Sequence, residues 1–255
     1  MDAPIPKPPD AYRVLHTADW HLGKMLGEHP RDREHAAFLS FLLDTIRHHA
    51  VDALVVAGDI FDSANPPQSA VAQYYNFLSA LFRQGGCTVI IVGGNHDSPA
   101  HLDAPRQLLQ ALGAHVLGAL PGAISETLIP LPNAQAPRLL VAAIPFLRDR
   151  DLRTGLPGQS SAEIQQALVD GIRQRYASAA EAAKPWKDRG VPLMGTGHLT
   201  VLGARSSDSE RDIHVGGLGA IDVGSFPGDF DYIALGHLHR PQGGGGRATI
   251  DRKST

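Results

Sequence analysis

Five short groups of polar residues in this sequence carry side chains of the kinds that bind metal ions in proteins. They combine carboxylate, amide and imidazole donors with no thiolate: Asp19-Trp20-His21, Gly58-Asp59, Gly94-Asn95-His96-Asp97, Gly197-His198 and Gly236-His237-Leu238-His239. Oxygen and nitrogen donors without sulfur favour Mn, Fe, Mg or Zn over soft-metal or iron–sulfur chemistry. The groups therefore predict a divalent cation site, without choosing among these metals.

Each group is weak evidence when it is taken alone. An Asp-x-His pair is common, a Gly-Asp is more often a turn, and a single histidine such as His198 is more often a satisfied polar residue. The combination is more specific, because every group follows a predicted strand and the donor types complement one another. The carboxylate of Asp59 could bridge two cations. The Asn95 amide oxygen could bind a hard cation while His96 stays free for proton transfer.

Strand-like runs precede the first three groups, at residues 13–18, 52–57 and 87–92. Between these runs, the helical spacing of apolar residues predicts helices over 31–50 and 67–84. Strand–helix–strand units with short connections are typical of a parallel sheet. Ligands of such α/β sheets bind outside the carboxyl ends of the strands, so the site is expected there.

The second half of the chain repeats this arrangement with weaker periodicity. It contains a predicted helix over 161–183 and predicted strands over 123–130, 138–144, 191–196 and 231–235. The last two strands lead to His198 and to the pair His237 and His239. On an extended backbone, alternate side chains point the same way, so His237 and His239 could face two neighbouring metals, and Asp19 and His21 would share one side.

Length and composition favour one α/β domain in the cytoplasm. The 255 residues, 43% of them hydrophobic, can bury one substantial core. The single cysteine, Cys87, excludes an internal disulfide framework. The start of the chain lacks the apolar stretch of a signal peptide, and no apolar run approaches the ~20 residues of a membrane-spanning helix. The net charge of −3 counts against a nucleic-acid binder, although bound cations would supply positive charge at the site.

In this order, the five groups resemble the five motifs of the calcineurin-like metallophosphoesterase family. Longer strings resemble the bacterial DNA-repair exonucleases of that family: HTADWHLG, VAGDIFD, GNHDSP, IPFLR and DYIALGHLHRPQ. The resemblance runs from about Arg13 to Gln242. It implies an α/β fold in which two β-sheets form a sandwich flanked by helices. It also implies a metal-dependent DNA exonuclease and endonuclease acting in repair and recombination.

The resemblance also implies roles for individual residues. One metal would be held by Asp19, His21, Asp59 and His239, and the other by Asp59, Asn95, His198 and His237. Two Mn²⁺ ions are the expected cofactors, and a water that they share would attack phosphorus. His96 would stabilise or protonate the leaving oxygen, and Asp62 matches the position that orients this histidine.

Family resemblance further implies DNA as the substrate, a homodimer, and an SMC-like ATPase subunit as partner. The helix over 67–84 has apolar residues on more than one face, which suits a dimer interface, although burial in the monomer core is the commoner cause. We expect a flexible tail over residues 1–12, a phosphoesterase domain over 13–242 and an irregular tail over 243–255. Family members continue after the fifth motif, through a Gly-Ser-Pro motif, into a cap. This sequence runs instead through four glycines, so we expect a truncated end without the cap.

Two other functions fit part of the sequence. A phosphomonoesterase or phosphoprotein phosphatase could use the same metals, but such relatives usually carry an arginine after the second motif. Here Asp62 is followed by Ser63-Ala64-Asn65, which favours a diesterase. A truncated fragment that binds a second copy or the ATPase without catalysis is the third possibility, and metal stoichiometry would separate it from the enzymes.

Overall fold

Strands and helices alternate along most of this chain. The computed structural model describes residues 3–155, 157–200, 221–237 and 250–251. In chain order, its elements are β1 (Val14–Thr17), β2 (Met25–Leu26), β3 (His29–Pro30), α1 (Asp32–His48), β4 (Ala53–Ala57), α2 (Gln68–Gln84), β5 (Thr88–Val92), α3 (Pro99–Asp103), α4 (Arg106–Ala111), β6 (Ala114–Leu117), β7 (Leu128–Leu131), β8 (Leu139–Ala142), α5 (Asp149–Leu152), α6 (Ser161–Lys187), β9 (Leu193–His198), β10 (Tyr232–Gly236) and β11 (Ile250–Asp251). Short 3-10 helices lie at Ile124–Thr127 and Val223–Ser225.

The strands form two main sheets. The first has the order β1-β4-β5-β6 and is parallel throughout. The second has the order β11-β10-β9-β8-β7, and only the β7–β8 pair in it is antiparallel. The register pairs Leu54 with Leu15 on one side and with Val89 on the other. Parallel pairing brings the carboxyl ends of β1, β4 and β5 to one edge of the first sheet.

Alternating side chains on each strand divide the core into layers. On β4, Leu54 and Val56 pack with apolar residues of α1 and α2, whereas Ala53 and Val55 face the second sheet. On β8, Val141 faces the first sheet, while the side chains on either side of it pack against α6. Each fully buried leucine or valine of this kind contributes about 1.5–3 kcal/mol. The layers confirm the predicted sandwich of two sheets flanked by helices.

Several elements differ from their predicted form. The segment 123–130 divides into a 3-10 helix and β7, and α6 continues past the predicted end at residue 183 and contains Pro185. The predictions missed the β2–β3 hairpin, β6 and the three helices α3, α4 and α5. These elements have two to six residues, too few for a hydrophobic period to be recognised. Among the described residues, no helix has the length and apolar character to cross a membrane.

Both predicted tails make contacts with the body of the protein. Lys7 forms an ion pair of 2.8 Å with Asp52, and Arg13 donates hydrogen bonds to the carbonyls of Ile5 and Pro6. Near the other end, β11 pairs in parallel with β10, so residues 250 and 251 are a strand and not irregular. The remainder of the predicted tail at 243–255 lies outside the described residues.

Candidate metal centre

Main-chain hydrogen bonds join the loops that follow β1 and β4. The N–H of Asp19 donates to the carbonyl of Gly58, and the N–H of His21 donates to that of Asp59, both at 3.0 Å. Asp19, His21 and Asp59 have φ angles of 55°, 46° and 52°. The prediction of extended backbone at residues 19–21 was therefore wrong, because the bonds between the loops hold these residues in the left-handed region. Such strain costs about 1–3 kcal/mol per residue and is concentrated at functional sites.

Asp59 lies at the centre of the cluster and is almost fully buried. Its Oδ2 atom is 3.2 Å from Nε2 of His198 and 3.7 Å from Nε2 of His21. Its Oδ1 atom accepts a hydrogen bond of 2.9 Å from the N–H of His96. Donor atoms of Asp19, Asp59 and His198 lie within 4.8 Å of one another, as do those of His21, Asp59 and His96. Asp59 belongs to both groups, which is the position that a bridging ligand needs.

His198 joins the second sheet to this cluster from the end of β9. Its Nδ1 atom lies 2.9 Å from the carbonyl of Ala57, and its Nε2 atom lies 2.9 Å from Oδ1 of Asn95. A carbonyl can only accept, so Nδ1 carries the proton in that contact and Nε2 is the nitrogen that a cation would use. Metal-binding histidines commonly have this arrangement, since the carbonyl fixes the ring and its tautomer.

His237 adds a further imidazole directly after β10. Its main-chain N–H donates to Oδ1 of Asp19 at 2.8 Å, and its ring lies 5.2 Å from that of His198 in an edge-to-face arrangement. With φ at 93°, His237 is not in the extended conformation predicted for it. His239, the other member of the predicted pair, lies outside the described residues. The structure therefore places six of the seven predicted ligands together.

Asp62 and His96 are neighbours, but their contact differs from the expected one. Nδ1 of His96 lies 2.7 Å from the main-chain carbonyl of Asp62. The Asp62 carboxylate lies instead 3.3 Å from Nδ1 of His21. The His96 ring stands edge-to-face to the His21 ring, with centroids 4.9 Å apart. Because the carbonyl occupies Nδ1 of His96, only its Nε2 remains for a substrate oxygen or a metal.

Burial and close charges shift the pKa values of three of these groups. Burial, assisted by the nearby Asp59 charge, raises the pKa of Asp19 to about 6. Burial opposes ionisation of Asp59, but the charge and hydrogen bond of His198, together with the charges of His21 and His96, outweigh it and hold the pKa of the Asp59 carboxyl well below its usual range. Burial also disfavours the His198 cation, yet the charge and hydrogen bond of Asp59, together with the Asp19 charge and the Ala57 carbonyl, outweigh it and raise the pKa of His198 to about 9. A divalent cation fits this donor set, since it would replace the His198 proton and neutralise both carboxylates.

The comparison with protein families agrees with this geometry. The model of the calcineurin-like phosphoesterase family matches residues 12–241. The chain belongs to that family.

Individual relatives of this chain carry a more specific name. The chain is 42% identical over 231 residues to the D subunit of the nuclease SbcCD from Escherichia coli K12, a match that covers 90% of this chain and 56% of the relative. It is 40% identical over 241 residues to the protein of that name from Rhodobacter capsulatus, covering 90% and 58%. The corresponding protein of Bacillus subtilis is 36% identical over 231 residues, covering 90% and 57%. The chain thus spans a little over half the length of these curated relatives.

Asp97 supports the loops of the candidate metal centre, and sequence reasoning gave it no role. Its fully buried carboxylate accepts hydrogen bonds from the main-chain N–H groups of Gly94, Ile60 and Phe61, at 2.8, 3.2 and 3.0 Å. One side chain therefore ties the loop after β4 to the loop after β5. An aspartate that directly follows Asn95-His96 was the available signal, but two of its three partners are 36 and 37 residues away in the chain.

Position 58 requires glycine for two reasons, its positive φ angle and the close approach of the His198 ring. Its φ is 90°, and a Cβ atom there would overlap Nδ1 of His198. Gly113 has nearly the same φ, 89°, with no atom within 4 Å of the position that a Cβ would take, so it isolates the cost of the backbone strain. We expect Gly58→Ala to lower the free energy of unfolding by more than Gly113→Ala, which should cost about 1–3 kcal/mol.

Urea unfolding and Mn²⁺ titration would measure both variants of this pair. Gly58→Ala should also weaken metal binding, because it displaces His198, whereas Gly113→Ala should leave it unchanged. Equal stability losses with unchanged Mn²⁺ binding in both variants would contradict the assigned position of His198.

Proposed function

We propose that this chain hydrolyses DNA phosphodiester bonds with two divalent metal ions, as an exonuclease and endonuclease subunit in DNA repair and recombination. The observation that carries the proposal is the Asp59 carboxylate between His21 and His198, at the edge where the two sheets meet. The family match and the relatives named as nuclease subunits support a phosphodiesterase. The place of action would be the cytoplasm.

The proposed ligands divide into two sets that share Asp59. Asp19, His21, Asp59 and His239 would hold one cation, and Asp59, Asn95, His198 and His237 the other. Mn²⁺ is the cation that we propose, as the family resemblance implies, and it is compatible with a set of oxygen and nitrogen donors. When bound, the two ions would supply an activated water and stabilise charge on the phosphoryl oxygens.

His96 is proposed as the residue that assists the leaving oxygen. The carbonyl of Asp62 holds the Nδ1–H of its ring, so a second proton, when present, is on Nε2. In the protonated ring, Nε2 can donate to the oxygen that departs from phosphorus. Asp62 is proposed to orient two rings, His96 through its carbonyl and His21 through its carboxylate.

Incubation of the purified chain with Mn²⁺ would test this function. The substrates are end-labelled double-stranded and single-stranded DNA, beside a simple phosphomonoester. Metal-dependent cleavage of DNA is the expected result. Hydrolysis of the monoester alone would favour a phosphomonoesterase instead. Two bound Mn²⁺ ions without turnover of any substrate would favour a non-catalytic fragment, since the chain spans 56% of its Escherichia coli relative.

We further propose a homodimer that works with an SMC-like ATPase subunit of the SbcC type. In α2, the residues Tyr74, Phe77, Leu78 and Leu81 are buried within the chain, so core packing explains most of its two apolar faces. Two rings stay accessible on the neighbouring helices α1 and α2, Phe41 at 48% and Tyr75 at 36%. These rings are the proposed dimer contacts.

Light scattering would test the dimer with charged substitutions at the two rings. Phe41→Glu and Tyr75→Glu should each shift the protein from dimer to monomer, because a buried unpaired carboxylate is costly at an interface. Leu108→Glu is the matched control, since Leu108 is a 67% exposed apolar residue on a different helix, α4. A monomeric wild-type protein would refute the proposed dimer.

A further inference from the structure

The segment Ile144–Arg148 runs from the second sheet to the metal centre, but contains none of the proposed ligands. It follows β8, and the N–H of Phe146 donates to the carbonyl of Gly93 at 2.8 Å. That carbonyl belongs to the loop after β5, which continues to Asn95 and His96. The segment therefore connects the loops of the two sheets from which the proposed ligands come.

Phe146 contacts His198 directly. The two rings are edge-to-face, with centroids 6.2 Å apart and planes at 80°. Nδ1 of His198 is held by Ala57 and its Nε2 lies 2.9 Å from Oδ1 of Asn95, so the remaining freedom of the imidazole is rotation about the line through these two contacts. The largely buried ring of Phe146 limits this rotation, since rotamer changes in a packed interior require the neighbour to move.

Arg148 lies over the ring of Phe146 and reaches the loop after β5. Its guanidinium carbon lies 5.7 Å from the centroid of the Phe146 ring, within the range of a cation–π contact. Its Nη2 lies 3.5 Å from the main-chain carbonyl of Asp97, at the long end of hydrogen bonding. Its Nη1 is buried and has no hydrogen-bond partner among the described residues. Burial of a guanidinium with incomplete hydrogen bonding is unfavourable for folding, so an arginine at this position is expected to have a function that offsets this cost.

We infer that Arg148 is a positioning residue for the metal site of Asn95 and His198, an inference that rests on the proposed two-metal function. Through Phe146 it restrains the ring of His198, and through the Asp97 carbonyl it restrains the turn that carries Asn95 and His96. Its own backbone is held in place, because the N–H of Arg148 donates to the Asp151 carboxylate at 2.8 Å. Among the described residues, the guanidinium forms no hydrogen bond or ion pair with a proposed ligand; its contacts are with Asp97 and Phe146.

Arg148→Ala and Phe146→Leu test this role, and Arg150→Ala is the control. Arg150 lies two residues after Arg148, in α5, and carries the same charge, but its side chain is 73% exposed and its only ion pair among the described residues is with Asp151 at 3.8 Å. Phe146→Leu keeps an apolar side chain and removes the ring. The measurements are Mn²⁺ dissociation constants from calorimetry, thermal unfolding, and kcat and KM for bis(p-nitrophenyl) phosphate. Asn95→Ala identifies which of the two Mn²⁺ sites contains Asn95.

The expected result is that Arg148→Ala and Phe146→Leu each weaken one Mn²⁺ site about 10-fold, the site that Asn95→Ala also affects. The kcat for the diester should fall with little change in KM, and Arg150→Ala should match the wild-type protein. Unchanged Mn²⁺ binding with a raised KM for bis(p-nitrophenyl) phosphate would overturn the inference and make Arg148 a phosphate contact. Equal weakening of both sites with a lower unfolding temperature would also overturn it. Calorimetry needs no turnover, so a wild-type protein without nuclease activity would refute the proposed function separately.

Discussion

Asp59→Asn is expected to remove tight binding of both metal ions. Asparagine keeps an oxygen that can accept the hydrogen bond from the N–H of His96, but it has no charge and cannot bridge two cations as a carboxylate does. Substitutions of groups that merely support a ligand weaken metal binding about 10- to 100-fold. Loss of the shared ligand should therefore exceed ~100-fold at each site, with DNA cleavage falling below detection.

Calorimetric titration with Mn²⁺ measures this effect directly. Asp52→Asn is the matched control. Asp52 directly precedes β4, whereas Asp59 lies just past the other end of that strand. Asp52 pairs with Lys7, far from the proposed ligands. The control should retain two Mn²⁺ ions, while Asp59→Asn should retain fewer than one. Two tightly bound ions in Asp59→Asn would show that Asp59 is not the bridging ligand.

His96→Ala is expected to retain both metal ions and to lose most of the catalytic rate. Assistance of a leaving group by a positioned proton donor contributes about 10²- to 10⁴-fold, so kcat for DNA should fall by that factor. Nδ1 of His96 is held by the Asp62 carbonyl, and its main-chain contact to Asp59 does not depend on the side chain. The substitution should therefore leave the ligand cluster intact.

The dependence on the leaving group makes this second test specific. p-Nitrophenolate departs without a proton, so His96→Ala should slow bis(p-nitrophenyl) phosphate hydrolysis much less than DNA cleavage. His101→Ala is the control, since His101 lies on α3 against the Phe61 ring and outside the proposed catalytic groups. A loss of Mn²⁺ binding in His96→Ala would instead make His96 a ligand, which its distance to His21 and Asp59 permits.

Much of the first sheet could be predicted from local sequence. The strand β4 is a continuous apolar run, β5 is apolar after Thr88, and β1 begins with two apolar residues. Polar residues follow each of these strands, and the intervening helices have a clear period. Parallel connections then place the ends of these strands at one edge, so Asp19, Asp59 and Asn95 were expected together. The residue types also indicated the donor set, because metal preference follows from donor chemistry and not from position.

Tertiary contacts decided the conformation of the ligands. Asp19 and His21 were expected on extended backbone, but the carbonyls of Gly58 and Asp59 hold them in the left-handed region. The carboxylate of Asp62 faces His21, although the motif had suggested His96. These contacts join segments about 40 residues apart along the chain, and no local pattern records which side chain will face which loop.

By itself, the sequence determined the strand–helix order of the first half, the donor types and the family to which the chain belongs. Only the tertiary structure decided that Asp59 lies between His21 and His198 and that Asp97 ties two loops together. It also decided that the ring of Phe146 contacts His198 and that Arg148 lies over that ring. The physical reason is the separation along the chain of the residues that interact. Hydrophobic periodicity and donor chemistry are properties of neighbouring residues, whereas the site depends on hydrogen bonds and packing between loops of two sheets that meet only after the chain has folded.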